Sequence, residues 1–184
     1  MNKKKCIPER LGTFNENGER TGEIQKGEYT ADYLKCCTCF ISNERNQILV
    51  EKRGNTVLDN GKLDLCSGHV RANETSTAGM IRELGEELGI EFDKAVNIKK
   101  IGKLKVHFKT FKCLTDVFFL KMKEISFNPQ DEEVEDYCFM ELEELLSLIR
   151  NGKTRFIYTK EYEEIFEKLK QEMGILPKDN NKIK

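Results

Sequence analysis

Residues 68 to 90, GHVRANETSTAGMIRELGEELGI, constrain this chain more than any other stretch. Thr75 is a good N-cap and Gly89 a good C-terminal stop, so the spacing predicts a helix over residues 75 to 88. At about 100° per residue, Glu83, Glu86 and Glu87 fall within roughly a third of the helix circumference. Ile81, Leu84 and Leu88 fall on another side, so one face is expected to bury while the acidic face lines a cleft. Carboxylates three and four residues apart repel, and two of these lie where the helix dipole also disfavours anions. Cations offset that cost. Mg²⁺ takes oxygen ligands in near-octahedral geometry and is commonly shared among carboxylates, waters and substrate phosphates, so the acidic face points to metal-assisted chemistry on a phosphate ester or anhydride. A solvated acidic face is the ordinary fate of any single Glu pair.

The remaining positions of the segment have separable roles. Gly68 follows a short apolar stretch, LDLC, and permits a sharp turn that aims its carbonyl at a metal, while Gly89 suits a left-handed cap. Arg82 is placed to hold a neighbouring carboxylate, Glu74 being the candidate, in a bidentate pair.

Taken together, these residues resemble the Nudix box: glycine, five residues, glutamate, seven residues, Arg-Glu, an apolar residue, one residue, Glu-Glu, one residue, glycine, apolar. All nine specified positions match, and the chance of that in a chain this long is below roughly one in a million at ordinary residue frequencies. The resemblance extends to a strand ending EKR, the LDLCSGHV stretch and a later acidic DEEVED. It implies an α/β chain folded as a Nudix-like α/β/α sandwich, with a central mixed sheet between the box helix and C-terminal helices. It implies a magnesium-dependent pyrophosphatase, with Mn²⁺ as an alternative cofactor, cleaving a diphosphate of the nucleoside diphosphate-X type. Gly68, Glu83, Glu86 and Glu87 are the implied metal ligands, and the same glutamates with Glu133, in the acidic loop, are the catalytic candidates. Arg53, Lys105 and His69 are the candidate substrate-binding residues. The run SGHV and the N-terminal hairpin also resemble isopentenyl-diphosphate isomerase-like members. Those use a cysteine directly before the Gly-His pair and histidines further upstream; here Ser67 takes that place, Cys66 is one position early, and no histidine precedes His69. A non-catalytic nucleotide-binding module is the third reading, and such modules usually lose box glutamates, all of which are present here.

Elsewhere the sequence predicts a hairpin around Asn17-Gly18, antiparallel strands at 33–41 and 47–52 joined by SNERN, and strands within 96–120. Lys103, Lys105, His107 and Lys109 share one side of the alternating KLKVHFK, opposite Leu104, Val106 and Phe108. NPQDEEVED reads as loop, and ELEELLSLIRNG and TKEYEEIFEKLKQEMG as amphipathic helices. Residues 9–176 are expected to form one domain, with 1–8 flexible and 177–184 disordered. The 31 Lys and Arg nearly cancel the 32 Asp and Glu, so no global field draws in bulk nucleic acid. No apolar run suits a membrane span and the opening MNKKKCIPER does not suit a secretory signal, so a cytoplasmic protein is expected. The expected partners are the small-molecule diphosphate and at most a second copy in a homodimer. Seven cysteines, an odd number, are expected to be reduced; the CxxC spacing of Cys36 and Cys39 has no second pair, and Cys66, Cys113 and Cys138 stand apart.

Overall fold

The structure is a computed structural model that describes residues 9–30, 32–54, 59, 61–90, 97–123 and 133–176. Thus the expectations for residues 1–8 and 177–184, and part of the 53–62 and 128–136 loops, lie outside the described residues. In chain order the elements are β1 (Arg10–Phe14), β2 (Arg20–Gln25), β3 (Tyr33–Ser42), β4 (Gln47–Arg53), β5 (Leu63–Asp64), β6 (Ser67–His69), α1 (Ser76–Leu88), β7 (Lys99–His107), β8 (Lys112–Lys121), β9 (Val134–Glu141), α2 (Leu142–Arg150) and α3 (Glu161–Glu172).

Alternation along the long strands decides the layering. In β3, Cys37, Cys39 and Ile41 face one side and Phe40 the other; in β4, Leu49 opposes Ile48 and Val50; in β8, Phe118 and Leu120 oppose Val117 and Phe119. One set packs with Met80, Leu84 and Leu88 of α1. The opposite set packs with Leu145, Leu146 and Ile149 of α2 and Ile165, Phe166 and Leu169 of α3. The period-2 pattern of a sheet buried on both faces therefore yields the expected α/β/α sandwich.

The sheet is mixed: β3 runs parallel to β8 over its whole length, while β7 pairs antiparallel with β8 and β9 with β4. Strands β3 and β4 leave their turn as a hairpin, with Asn43 Oδ1 accepting from the backbone N–H groups of Arg45 and Gln47 and Asn46 in the left-handed region at φ 60°. They pair only at Ser42↔Ile48 and then part. Into the gap comes the 63–69 segment: β5 pairs with β4 through Glu51↔Asp64, and β6 pairs with β3 through Cys37↔Gly68. This splay opens the cleft that the glutamates of α1 border.

The structure corrects four expectations. The N-terminal hairpin exists, but its turn is wider than two residues: Asn15 Oδ1 accepts from the backbone N–H of Asn17 and of Glu19, and only Gly18 adopts positive φ. Strand β9 begins at Val134, inside the stretch read as loop; its burial does not alternate, and its pairing with β4 makes it a strand. Ile81 is 37% exposed, and Met80 takes its expected place in the core. Finally, Cys113 is not isolated, because its sulfur meets that of Cys36. No helix among the described residues is long and apolar enough to cross a membrane.

Leu84 is completely buried between α1 and the sheet and is the residue that most directly holds the acidic helix in place. Leu84→Ala should cost about 2–5 kcal/mol, lowering the thermal midpoint by roughly 5–15 °C for a domain of this size. Thermal and urea unfolding of the two proteins measure this.

Candidate active site

Thr75 Oγ1 accepts from the Ala78 N–H at 3.2 Å and Gly89 closes α1 at φ 67°, so both ends of the box helix are held by the residues that mark them in the sequence. The helix rests over β3 and β6, which brings Glu83, Glu86 and Glu87 to the wall of a cavity of about 250 Å³. Ser67, Gly68 and His69 line the same cavity from β6, as do Arg53 and Glu133.

Arg82 organises the approach to this wall. Its Nε and Nη2 donate to the two carboxylate oxygens of Glu74 at 3.1 Å each, the expected bidentate pair. Its Nη1 donates to Glu83 and Glu86 at 2.8 Å each, and its Nη2 also to the His69 carbonyl at 2.9 Å. Glu74 in turn accepts from the Arg71 N–H at 3.0 Å. Helix, preceding loop and β6 are thereby joined through one guanidinium.

The glutamates differ in environment. Glu87 is 4% exposed and its Oε2 accepts from the Ser67 N–H at 3.1 Å. Burial, followed by the facing charge of Glu51, pushes its carboxyl well above the usual range. Burial also raises Glu83, to about 7, against the opposing pull of Arg82. Glu86 lies nearer solvent. Glu51, at 3% exposure, was not singled out in the sequence; its carboxylate, that of Glu87 and the Cys66 sulfur offer donor atoms within 4.8 Å of one another. At that spacing two ionised carboxylates repel by about 3 kcal/mol at an effective dielectric constant near 20. A divalent cation removes this penalty, and oxygen-rich donors suit Mg²⁺ or Mn²⁺ better than a soft metal. Gly68 fits the same reading: a Cβ there would collide with the Glu83 carboxylate, so only glycine lets that side chain lie against the β6 backbone. Glu51 and Glu87, with the Cys66 sulfur beside them, thus fit a divalent cation where they meet, and Glu83, lying against the Gly68 backbone, is the neighbouring carboxylate.

Cationic and aromatic residues line the same cavity. Asp64 is buried and accepts through Oδ2 from Arg53 at 3.0 Å and from Arg155 at 2.9 Å. Arg155 is fixed by its backbone N–H donating to the Leu63 carbonyl at 2.9 Å and stands over the Phe108 ring, while its Nε is buried without a protein acceptor. Tyr29, Phe108 and Phe111 stack in sequence beside it. Lys26 also lines the cavity, paired with Glu9 at 2.9 Å.

Of the substrate-binding candidates, Arg53 and His69 line the cavity and Lys105 does not. Lys105 is exposed, because the pleat of β7 turns Val106 inward and Lys105 outward. His69 lies on strand β6, and its Nε2 is buried without a partner. Burial lowers its imidazole to about 4, so the ring is neutral at pH 7. Arg155, Asp64, Glu51 and Lys26 were missed. Of these, Glu51 alone carried a sequence signal, as the first residue of EKR.

The NUDIX domain family model matches residues 33–160. A search of curated proteins finds no match. Among solved structures, DR0079 from Deinococcus radiodurans is similar with a TM-score of 0.68 and 24% identity, over 86% of this chain and 98% of that one. A C. elegans Ap4A hydrolase is similar with a TM-score of 0.60 and 16% identity, over 77% and 98%. The E. coli dihydroneopterin triphosphate pyrophosphohydrolase gives 0.55 and 13%, over 77% and 95%. Since the matched region spans most of the chain and contains the whole glycine-to-isoleucine box around Arg82, the chain belongs to the Nudix family.

Proposed function

We propose that this chain is a divalent-cation-dependent hydrolase that cleaves a diphosphate linkage in a nucleoside diphosphate-X type substrate. The observation that carries the reading is that Glu83 and Glu87 line one cavity together with Gly68, Arg53 and Arg155, while the buried Glu51 offers a further carboxylate within 4.8 Å of Glu87. Similarity to proteins described as an Ap4A hydrolase and a triphosphate pyrophosphohydrolase agrees with it.

Two sets of residues divide the work. On the acidic side, Glu51, Glu83 and Glu87 hold divalent cations, which when bound neutralise charge on the diphosphate and acidify a water molecule. Arg82 fixes Glu83 and Glu86 in position before substrate arrives, so little reorganisation is needed at the moment of reaction. Among the cationic residues, Arg53 and Arg155 line the cavity and are available to phosphate oxygens, and Asp64 holds both so that their side-chain entropy is already lost. Glu133, which also lines the cavity and is not needed to hold the cations, is our candidate to take a proton from the attacking water. The stacked Tyr29, Phe108 and Phe111 provide a flat apolar surface for the group beyond the diphosphate.

The isomerase reading needs a thiol directly before the Gly-His pair. Ser67 occupies that position and lines the cavity, while Cys66 does not line it and is buried, its thiol raised by burial. Proton chemistry on an isoprenoid therefore lacks its acid at that place.

In a Mg²⁺-dependent screen of diphosphate compounds with product identification, Glu83→Gln and Glu87→Gln should each lower turnover by roughly 10²–10³-fold, the equivalent of several kcal/mol of metal-derived stabilisation. Thermal melts without metal should show Glu87→Gln at least as stable as the parent, since the change removes a repulsion against Glu51. Chelation should abolish activity and Mn²⁺ restore it. Full turnover by both variants across the panel would refute the assignment. Arg155→Ala should lower kcat/KM by about 10- to 100-fold through loss of a charge-assisted hydrogen bond, a change read from steady-state kinetics. Gly68→Ala should cost about 10²-fold in kcat by displacing the Glu83 carboxylate, with circular dichroism checking that the fold is kept.

A further inference from the structure

Beside the carboxylate wall lies a second donor cluster of different chemistry. Cys36 on β3, Cys113 on β8 and His69 on β6 come from three neighbouring strands. The antiparallel register sets His69 directly opposite Cys36, and the parallel register sets Cys113 two residues from the position opposite Cys36, so all three share one face of the sheet. One nitrogen of His69 and the two sulfurs lie within 4.8 Å of one another. Cys36 and His69 line the cavity, whereas Cys113 is fully buried beneath them. The two cysteine sulfurs touch as a disulfide, and their Cα atoms are 5.9 Å apart. The His69 ring leans against Phe111 at 5.4 Å, and its Nε2 is buried with no hydrogen-bond partner.

We infer that in the reduced chain Cys36, Cys113 and His69 form a binding site for a thiophilic divalent cation of the Zn²⁺ class, separate from the carboxylate site, with its remaining coordination position facing the cavity. Two sulfurs and an imidazole nitrogen are a soft donor set that discriminates against Mg²⁺ and favours zinc. In a tetrahedral site with ordinary Zn–S and Zn–N lengths the donors stand roughly 3.3–3.8 Å apart, a spacing that side-chain rotation reaches from the observed cluster. Three protein ligands with an open fourth position is the pattern of a site accessible to water or a ligand. A cation would also satisfy a buried imidazole nitrogen that otherwise has no acceptor or donor opposite it.

The chemistry balances without a change of metal oxidation state. Reduction of the Cys36–Cys113 bridge by a phosphine and water gives two thiols and a phosphine oxide. On binding, the two thiols release their protons to solvent, and two thiolates and one neutral imidazole each donate an electron pair to the cation. The inference does not depend on the diphosphate reading, because none of its three donors is a box carboxylate.

The test is titration of the full chain, reduced with a phosphine and freed of metal, with Co²⁺ as a spectroscopic probe. One equivalent should produce a thiolate-to-cobalt charge-transfer band and tetrahedral visible bands, and Zn²⁺ should displace them. Cys36→Ser and Cys113→Ser should weaken binding by at least roughly 100-fold, more than loss of an outer partner costs. Glu87→Gln should leave the bands intact, which separates this site from the Glu51, Cys66 and Glu87 group. Absence of the bands in a reduced parent chain that titrates for all seven thiols overturns the inference however the variants fold. So does persistence of the bands in Cys36→Ser, or their loss in Glu87→Gln.

Discussion

One guanidinium makes the acidic wall possible. Glu74, Glu83 and Glu86 would repel one another just before and along α1, yet all three accept hydrogen bonds from Arg82, whose fifth bond reaches the His69 carbonyl. Because Arg82 is itself largely enclosed, its charge is poorly screened and the pairs are stronger than exposed ones. The arrangement fixes the loop before the helix, the helix and strand β6 as a unit. A lysine could not replace it, since a single ammonium cannot meet four acceptors in a plane. Glu87 lies outside Arg82's reach and faces Glu51 instead, so the deepest part of the wall keeps the strongest demand for a cation.

Where that demand arises is decided by the sheet. Strands β3 and β4 separate after a single paired position, and the 63–69 segment bridges the gap, bonded to β4 at one end and β3 at the other. The Cys66 carbonyl accepts from the Cys39 N–H at 3.0 Å, so the crossing is anchored midway. Neighbouring strands thus contribute Arg53, Asp64 and Gly68 to one cavity without any long loop. The box helix then only has to lie across the opening, and Leu84 and Leu88 fasten it there.

What could be read from the sequence was what depends on local periodicity. The helix over 75–88, its caps, the bidentate Arg82–Glu74 pair and the two-sided burial of β3, β4 and β8 all follow from spacing along the chain. Residues whose role depends on register could not be read. Arg155 meets Asp64 across 91 positions, and Cys36 meets Cys113 across 77, through a parallel pairing that needs the whole intervening crossover. Strand β9 escaped because its acidic residues break the alternation, while β4 supplies the pairing that holds it. Lys105 illustrates a subtler limit: the alternation of β7 is plain, yet nothing local says which of its sides meets the cavity.

That side is the apolar one, and the consequence bears on selectivity. Val106 turns inward from β7 to join Phe108, Phe111, Tyr29 and Phe156, and the cavity's charge comes from Arg53, Arg82, Arg155, Lys26, Asp64 and the glutamates. A diphosphate can be held between those charges, but they are shared by any diphosphate and distinguish none. Discrimination falls to the aromatic end, where a flat or apolar group gains contact area and a strongly hydrated one loses its water without compensation. His69, neutral because burial lowers its imidazole to about 4, lines the same cavity and adds a polar atom without adding charge. Under the proposed function, the charged residues would serve cleavage and the aromatic ones the choice of leaving group.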